Sequence, residues 1–412
     1  AEHIEMIRRL CPEAESSVPG QLESHSLPAL RRLIVISDRT HRGMLSWKDV
    51  LESGGDVSGR ELSERQRSCR ADDVATLLYT SGTTGAPKGV MSTHFGIINT
   101  TLAGAENQKL TEGDRLCLSV PLSHMFGCVC VVLAALTKGA AIVIPSEAFD
   151  PGRILEAIAA EQCTAVYGSP GAFIAMMEVP EYGRFDLRSL RTGIMGGAQC
   201  PLEVMKRVTG EMGAKEIVIG YGQTEASSWI TMTRPDDPLE RRVSTVGRPI
   251  PRVEVKLIDP ASGREVPVGA IGEICARGFN MKGYYRMPAA TASAIDAEGW
   301  LHTGDLGAIG AEGYLRTTGR LKEVIVRGGL SIYPTEVEEV LFSHPKITNA
   351  QVFGVPGGTA GEEVAAWIRL EEGVSATEEE MRQYCREKLP APSLPRYIKF
   401  VGEFPMTPLG KP

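Results

Sequence analysis

From residue 75 onward, short apolar runs alternate with longer stretches whose apolar residues recur every three or four positions. The first pattern reads as strand and the second as amphipathic helix. Strands are expected at 115–120, 140–145, 164–169, 192–196 and 216–220, with helices near 94–104, 125–137, 151–161, 170–178 and 201–212. That alternation predicts an α/β domain, a parallel sheet with helices on its faces. Ala75-Thr76-Leu77-Leu78 reads as one more buried strand. From about 250 the texture changes: Val253-Glu-Val-Lys-Leu-Ile258 and Gly272-Glu-Ile-Cys-Ala276 lie between turns such as Asp259-Pro260-Ala-Ser-Gly263. This predicts a β-rich annex. Past Gly319, strands at 323–327, 350–354 and 364–370 and helices at 334–343 and 377–388 predict a small α+β domain. The boundary is set at 320–322, dividing the chain into a large domain over 1–319 and a small one over 320–412. Residues 1–70 mix apolar runs such as Leu33-Ile34-Val35-Ile36 with polar stretches and carry no motif.

Composition narrows the classes. A chain of 412 residues exceeds one ordinary core and implies two or more domains. Forty-four Lys and Arg against 51 Asp and Glu leave a net charge of −7, which disfavours a nucleic-acid binder but not a site for an anionic nucleotide. The nine cysteines form no paired framework; Cys128-Val-Cys130 is too close for a C-x-x-C pair and has no histidine cluster for zinc. Buried free thiols in a reducing compartment are expected, and with them a cytoplasmic location. Phe126 to Pro145, the most apolar region, is broken by Lys138-Gly139, so a buried helix followed by a strand is expected rather than a membrane span.

Candidate chemistry gathers after the strands. Tyr79-Thr80-Ser81-Gly82-Thr83-Thr84-Gly85-Ala86-Pro87-Lys88-Gly89 combines small hydroxyl side chains, glycines and one lysine. Its exposed N–H groups can cradle an anion, and Lys88 adds a point charge suited to phosphate. The spacing is not that of a Walker A loop. Met195-Gly196-Gly197-Ala198-Gln199 lets a flat ring lie against backbone. Gly220-Tyr221-Gly222-Gln223-Thr224-Glu225 delivers an aromatic face, a hydroxyl and a carboxylate within five residues. Trp300-Leu-His302-Thr303-Gly304-Asp305 puts a carboxylate on a tight turn, a natural acceptor for two ribose hydroxyls.

These stretches resemble, in order, the motifs of the adenylate-forming (AMP-binding) superfamily, from about 70 to 411. Arg191-Thr-Gly-Ile-Met-Gly-Gly-Ala-Gln-Cys-Pro201 is most similar to the acyl-CoA synthetase branch that activates fatty acids. The resemblance assigns the loop of Thr80, Ser81, Gly82, Thr83, Thr84 and Lys88 to the β- and γ-phosphates. It gives Gly197, Ala198, Gln199, Gly220, Tyr221, Gly222 and Gln223 to the adenosine, with Tyr221 stacking on adenine. Thr224 goes to a phosphate oxygen, Glu225 to Mg²⁺, and Asp305 and Arg320 to the ribose. Lys322 falls at the family's hinge, Gly328-Gly329 at its CoA channel, and Lys411 at its adenylation lysine. His124, Gly168, Met195 and Trp229 are expected around an acyl pocket. Pro121-Leu-Ser-His124-Met-Phe-Gly127 has no aspartate to hold an amino group, so an α-amino acid is disfavoured.

The sequence also departs from that pattern. Leu330-Ser331 stand where the family usually has Glu-Asn, and Phe279-Asn-Met-Lys-Gly283 and Pro390-Ala-Pro-Ser-Leu-Pro395 look altered. The usual start of the large domain is missing, so an amino-terminally truncated chain is expected, cut short again after Lys411. The implied activity is ATP- and Mg²⁺-dependent conversion of a medium- or long-chain fatty acid and CoA to acyl-CoA, AMP and pyrophosphate through an acyl-AMP. Transfer to a carrier-protein thiol and a non-catalytic nucleotide-binding relic are the alternatives. The expected partners are a small carboxylic acid, ATP and CoA, with no nucleic acid; a homodimer is an assembly left open.

Overall fold

The computed structural model describes residues 2–37, 39–80, 87–198, 200–357 and 361–404. Two compact units divide the chain, residues 1–71 and 72–412. In the first, helix Glu2–Leu10 and the turn Pro12–Glu15 are followed by two short parallel strands, Ile34–Val35 and Leu45–Ser46. Ser46 and Asp49 form a reciprocal capping box that starts helix Trp47–Ser53, and Ser58 caps helix Gly59–Ser68. Cys11, Ala14, Leu22, Leu33 and Met44 make its small core. Of the apolar run 33–36, only Ile34–Val35 is strand, and Ile36 is exposed.

The second unit is built on a seven-stranded sheet. Its spatial order is Arg248–Pro249, Thr231–Met232, Val218–Tyr221, Thr192–Gly196, Ala165–Gly168, Arg115–Cys117, Ala141–Val143. The last five are parallel, and the first two run antiparallel to their neighbours, so the expected parallel sheet is mixed at one edge. The short connection 222–230 returns the chain beside Val218–Tyr221, and so short a return can only pair antiparallel. The connecting helices follow their caps. Asp150 accepts from the Arg153 N–H ahead of Pro151–Glu161, and Ser169 from Ala172 ahead of Pro170–Met177, each helix opening on proline.

Residues 125–138 form the expected buried helix, with a π-helical stretch over Cys128–Leu133, and a strand follows at Ala141–Val143. No helix among the described residues is long and apolar enough to cross a membrane.

The stretch at 75–78 corrects an expectation. It belongs to a strand, Val74–Thr80, but one at the edge of a three-stranded antiparallel sheet with Lys88–Thr93 and Gly283–Tyr284. Leu77 and Tyr79 are exposed there, because an edge strand packs fewer neighbours than a central one. All nine cysteines are free, yet Cys69 is exposed and Cys128 only half-buried, so the expectation of buried thiols holds for the other seven. The annex is a four-stranded antiparallel sheet, Glu254–Ile258, Gly272–Arg277, Leu301–Ile309 and Leu315–Arg320. After it, helices Pro334–Phe342 and Glu378–Arg386 join the sheet of Ile347–Pro356, Glu362–Leu370 and Tyr397–Phe400 in a core of their own, which includes Ile325, Val337, Val364 and Ile398.

Candidate active site

Two strand ends and a bulge bring one group of side chains together. Between the pairs Glu273–Leu306 and Cys275–His302, only Ile274 faces residues 303–305. Such a bulge twists the strand and re-aims a side chain, and the one re-aimed here is Asp305. Across the other neighbour Asp305 pairs in register with Arg320, whose Nε lies 3.3 Å from Oδ1. The phenol of Tyr221, at the end of its strand, donates to Oδ2 at 2.8 Å. Burial, and then the charge of Asp305, push the Tyr221 hydroxyl well above its ordinary range, so it stays a donor. Three residues read separately from the sequence thus meet on one carboxylate.

A second group forms four residues beyond Tyr221. Thr224 opens a short 3-10 turn, Thr224–Ala226, held by strained backbone: Ser227 and Ser228 have φ of 56° and 118°. Strain of this kind persists only where surroundings enforce it. Here Thr100 donates to the Ser227 carbonyl at 2.8 Å, and a Cβ on Gly222 would strike the Ser228 carbonyl.

Glu225 on this turn accepts a 2.8 Å hydrogen bond on Oε1 from the Tyr284 hydroxyl. Lys88 stands 4.8 Å from the centroid of the same tyrosine ring. Burial and then Glu225 push the Tyr284 phenol up, which again keeps it protonated. Lys88 pairs in register with Thr80 at the ends of the 74–80 and 88–93 strands, and its ammonium lies over the ring whose hydroxyl meets Glu225. Among the described residues Oε2 of Glu225 accepts no hydrogen bond, leaving an anionic oxygen of the hard type a divalent cation takes.

Tyr284 was not among the residues the sequence singled out. It lies just past the 279–283 stretch, with only a Gly-Tyr-Tyr run to mark it. Ser81, Gly82, Thr83, Thr84, Gln199 and Lys411 lie outside the described residues. Gly197 and Ala198, after the Thr192–Gly196 strand, are exposed, while Gly222 and Gln223 lead into the Glu225 turn.

The four pocket candidates do not share one surface. Trp229 packs with Phe126, at 6.0 Å between ring centroids, in the core cluster that also holds Ile194 and Val129. The indole fills the space beside Gly220, where any Cβ would come within 2.6 Å of the ring. Met195, next to Ile194 on its strand, points to the other face and packs with Phe173 and Val166. A Cβ on Gly168 would likewise meet Ala172 and Phe173. His124 caps the start of the 125–138 helix, its Nδ1 accepting from the Phe126 N–H at 3.1 Å.

Gly328 and Gly329 form the two-residue turn of a hairpin between Ile325–Arg327 and Leu330–Ile332, with φ of 58° and 82°. That is the left-handed pair a tight hairpin turn requires, and nothing crowds either Cα. Lys322 sits in the short turn Leu321–Glu323 between the annex and this hairpin.

Residues 12–285 match the family model described as AMP-binding enzyme, and 336–411 the AMP-binding enzyme C-terminal domain. YngI of Bacillus subtilis (strain 168), named as an acyl-CoA synthetase, is 47% identical over 408 residues, which are 99% of this chain and 74% of that protein. The mitochondrial medium-chain acyl-CoA ligase ACSF2 of Danio rerio is 40% identical over 412 residues, covering 99% of this chain and 68% of its own length. Among solved structures, ATP-bound MatB from Rhodopseudomonas palustris superposes with a TM-score of 0.76 at 30% identity, over 83% of this chain and 67% of MatB.

Proposed function

The chain belongs to the AMP-binding enzyme family, and from that premise we propose that it activates a fatty acid with ATP and passes the acyl group to CoA. The observation that carries the reading is the pairing of two carboxylate centres on one run of chain. Asp305 with Tyr221 and Arg320 suits a ribose, and Glu225 with Tyr284 and Lys88 suits a polyphosphate. In the first half-reaction the substrate carboxylate attacks the α-phosphorus of ATP, forming an acyl-AMP and releasing pyrophosphate. Such a step is catalysed chiefly by positioning and by charge stabilisation. Asp305 accepts the ribose hydroxyls, with Arg320 beside it. The ring of Tyr221 supports the adenine, Thr224 donates to a phosphate oxygen, and Lys88 with the 80–84 loop holds the β- and γ-phosphates. Glu225 would hold a Mg²⁺, which supplies neutralisation of phosphate charge. Lys411 approaches the reacting carboxylate during adenylation only.

In the second half-reaction a domain comprising residues 320–412 turns about Lys322 and brings the Gly328-Gly329 hairpin to the thiol channel, where CoA attacks the acyl-AMP. The separate core of that segment supports its moving as a body. An aliphatic substrate is supported by the resemblance of the 191–201 stretch to the fatty-acid branch and by the likeness to ACSF2 of Danio rerio, named as a medium-chain acyl-CoA ligase. The enzyme is placed in the cytoplasm on this reading. A pyrophosphate-release assay with a panel of straight-chain acids, followed by thioester detection with CoA, tests it. Pyrophosphate and acyl-CoA from medium- or long-chain acids are expected; nucleotide binding without turnover of any acid overturns the proposal.

A further inference from the structure

On the annex sheet three side chains with no part in the proposed chemistry converge. Glu273 and Cys275 stand two residues apart on Gly272–Arg277 and share one face of the sheet. Register sets His302 of the neighbouring strand directly opposite Cys275. Nδ1 of His302 is 3.1 Å from Oε2 of Glu273 and 3.7 Å from Sγ of Cys275. All three donor atoms lie within 4.8 Å of one another. The far ring nitrogen, Nε2, is 3.7 Å from Oδ2 of Asp296, and that carboxylate is held by the Glu298 and Trp300 N–H groups on its other oxygen.

We infer that Glu273, Cys275 and His302 form a Zn²⁺ site, with Asp296 as the outer partner of the imidazole. Donor atoms around a tetrahedral zinc stand roughly 3–4 Å from one another at ordinary bond lengths, which is the spacing around Nδ1. One sulfur, one imidazole nitrogen and one carboxylate oxygen make a set of mixed softness that suits zinc; Mg²⁺ and Ca²⁺ take oxygen ligands. A carboxylate behind the ligating histidine is the usual outer partner: it accepts from Nε2–H and turns the Nδ1 lone pair to the metal. The His302 side chain is 30% exposed while Glu273 and Cys275 are buried, so the cation has a way in and solvent can fill the fourth position.

Coordination replaces the S–H bond of Cys275 by an S–Zn bond and releases the proton to solvent. The local charge favours a cation. Glu273, Asp296 and the resulting thiolate face it, against Lys256, whose ammonium is engaged 4.3 Å from the Trp300 ring centroid. Glu273 also accepts from the Gly304 N–H at 3.2 Å, so the ion sits at the root of the bulge that carries Asp305. The site does not depend on the ligase reading.

The test uses the full 412-residue chain, stripped of metal and kept reduced, in a Cys69→Ser background that removes the exposed thiol. Titration with Co²⁺ should bind one equivalent and raise a thiolate-to-cobalt charge-transfer band in the near ultraviolet, which added Zn²⁺ abolishes. Cys275→Ser, nearly the same size, should eliminate the band. His302→Ala should weaken Zn²⁺ by about tenfold or more in chelator competition, and Asp296→Asn by about tenfold. Circular dichroism checks that each variant folds, and His302→Ala carries the test if Cys275→Ser does not. No cobalt band in the parent, a band that survives Cys275→Ser, or unchanged Zn²⁺ affinity in His302→Ala overturns the site.

Discussion

Asp305 accepts from the Tyr221 phenol and pairs with Arg320, so its removal has a defined cost. Asp305→Ala forfeits charged hydrogen bonds to the ribose worth about 1.5–3 kcal/mol. Calorimetry should show ATP and acyl-AMP weakened together by roughly 10- to 150-fold; unchanged affinity for both would remove Asp305 from the ribose. Tyr284→Phe keeps the ring beneath Lys88 and deletes only the hydroxyl that orients Glu225. Pyrophosphate release should fall about tenfold, since a hydrogen bond to a charged group contributes roughly 1.5–3 kcal/mol, while thermal stability changes little. A rate equal to the parent's would mean that Glu225 is held by something else. Asp305 was legible because Trp300 to Asp305 is a contiguous motif, although it lies on a bulged strand, Leu301–Ile309, and not on the tight turn expected; Tyr284 was not, because its value lies in reaching a residue 59 positions away.

Among the elements, the parallel part of the sheet depends on a polar clamp at its base. Arg191 pairs with Asp114 at 2.8 Å and Glu216 at 2.9 Å, and also donates to the Gln108 and Lys109 carbonyls. Desolvation raises the Asp114 pKa, but hydrogen bonds from Arg191, Thr164 and Thr111 outweigh it and hold the carboxyl below the usual range. A depressed folded-state pKa contributes stability above the unfolded value of about 3.9 and loses it as pH falls through the folded one. Arg191→Met leaves Asp114 buried without its cation and should cost about 3 kcal/mol in urea unfolding at neutral pH. The variant should also lose less stability than the parent on acidification from about pH 5 to pH 3. Equal acid sensitivity in both proteins would remove Arg191 as the cause of the low pKa. The Gly328-Gly329 hairpin and the helices at 151–161 and 170–177 follow from their turn and cap residues. The bulge at 303–305 does not, because register between two strands is a property of the pair.

For the whole molecule, the proposal requires the segment after 320 to serve two poses. Lys411→Ala should abolish acyl-AMP formation from acid and ATP, yet leave thioester formation from synthetic acyl-AMP and CoA within about twofold, because the lysine is carried away before CoA attacks. Stopped assays of the separate half-reactions read this directly. Equal loss in both would mean the lysine is structural or the segment does not turn, and no loss in either would mean it is a surface residue.

The amino-acid sequence by itself determined whatever is encoded within a few neighbours. The alternation of strand and helix, the helix starts at Asp150 and Ser169, and the ordered motifs that mark an adenylate-forming acyl-CoA synthetase are all of this kind. Period and capping act over one or two turns of backbone, so they survive without knowledge of the fold. Only the tertiary structure decided which face each residue serves. It set Met195 and Trp229 in different cores, left Leu77 and Tyr79 exposed on an edge strand, and turned the sheet antiparallel at 231–232. It also brought Glu273, Cys275 and His302 to one spot from two strands. Each of these depends on which distant segment pairs alongside, and on how much apolar surface that pairing removes from water, quantities that no local window of residues contains.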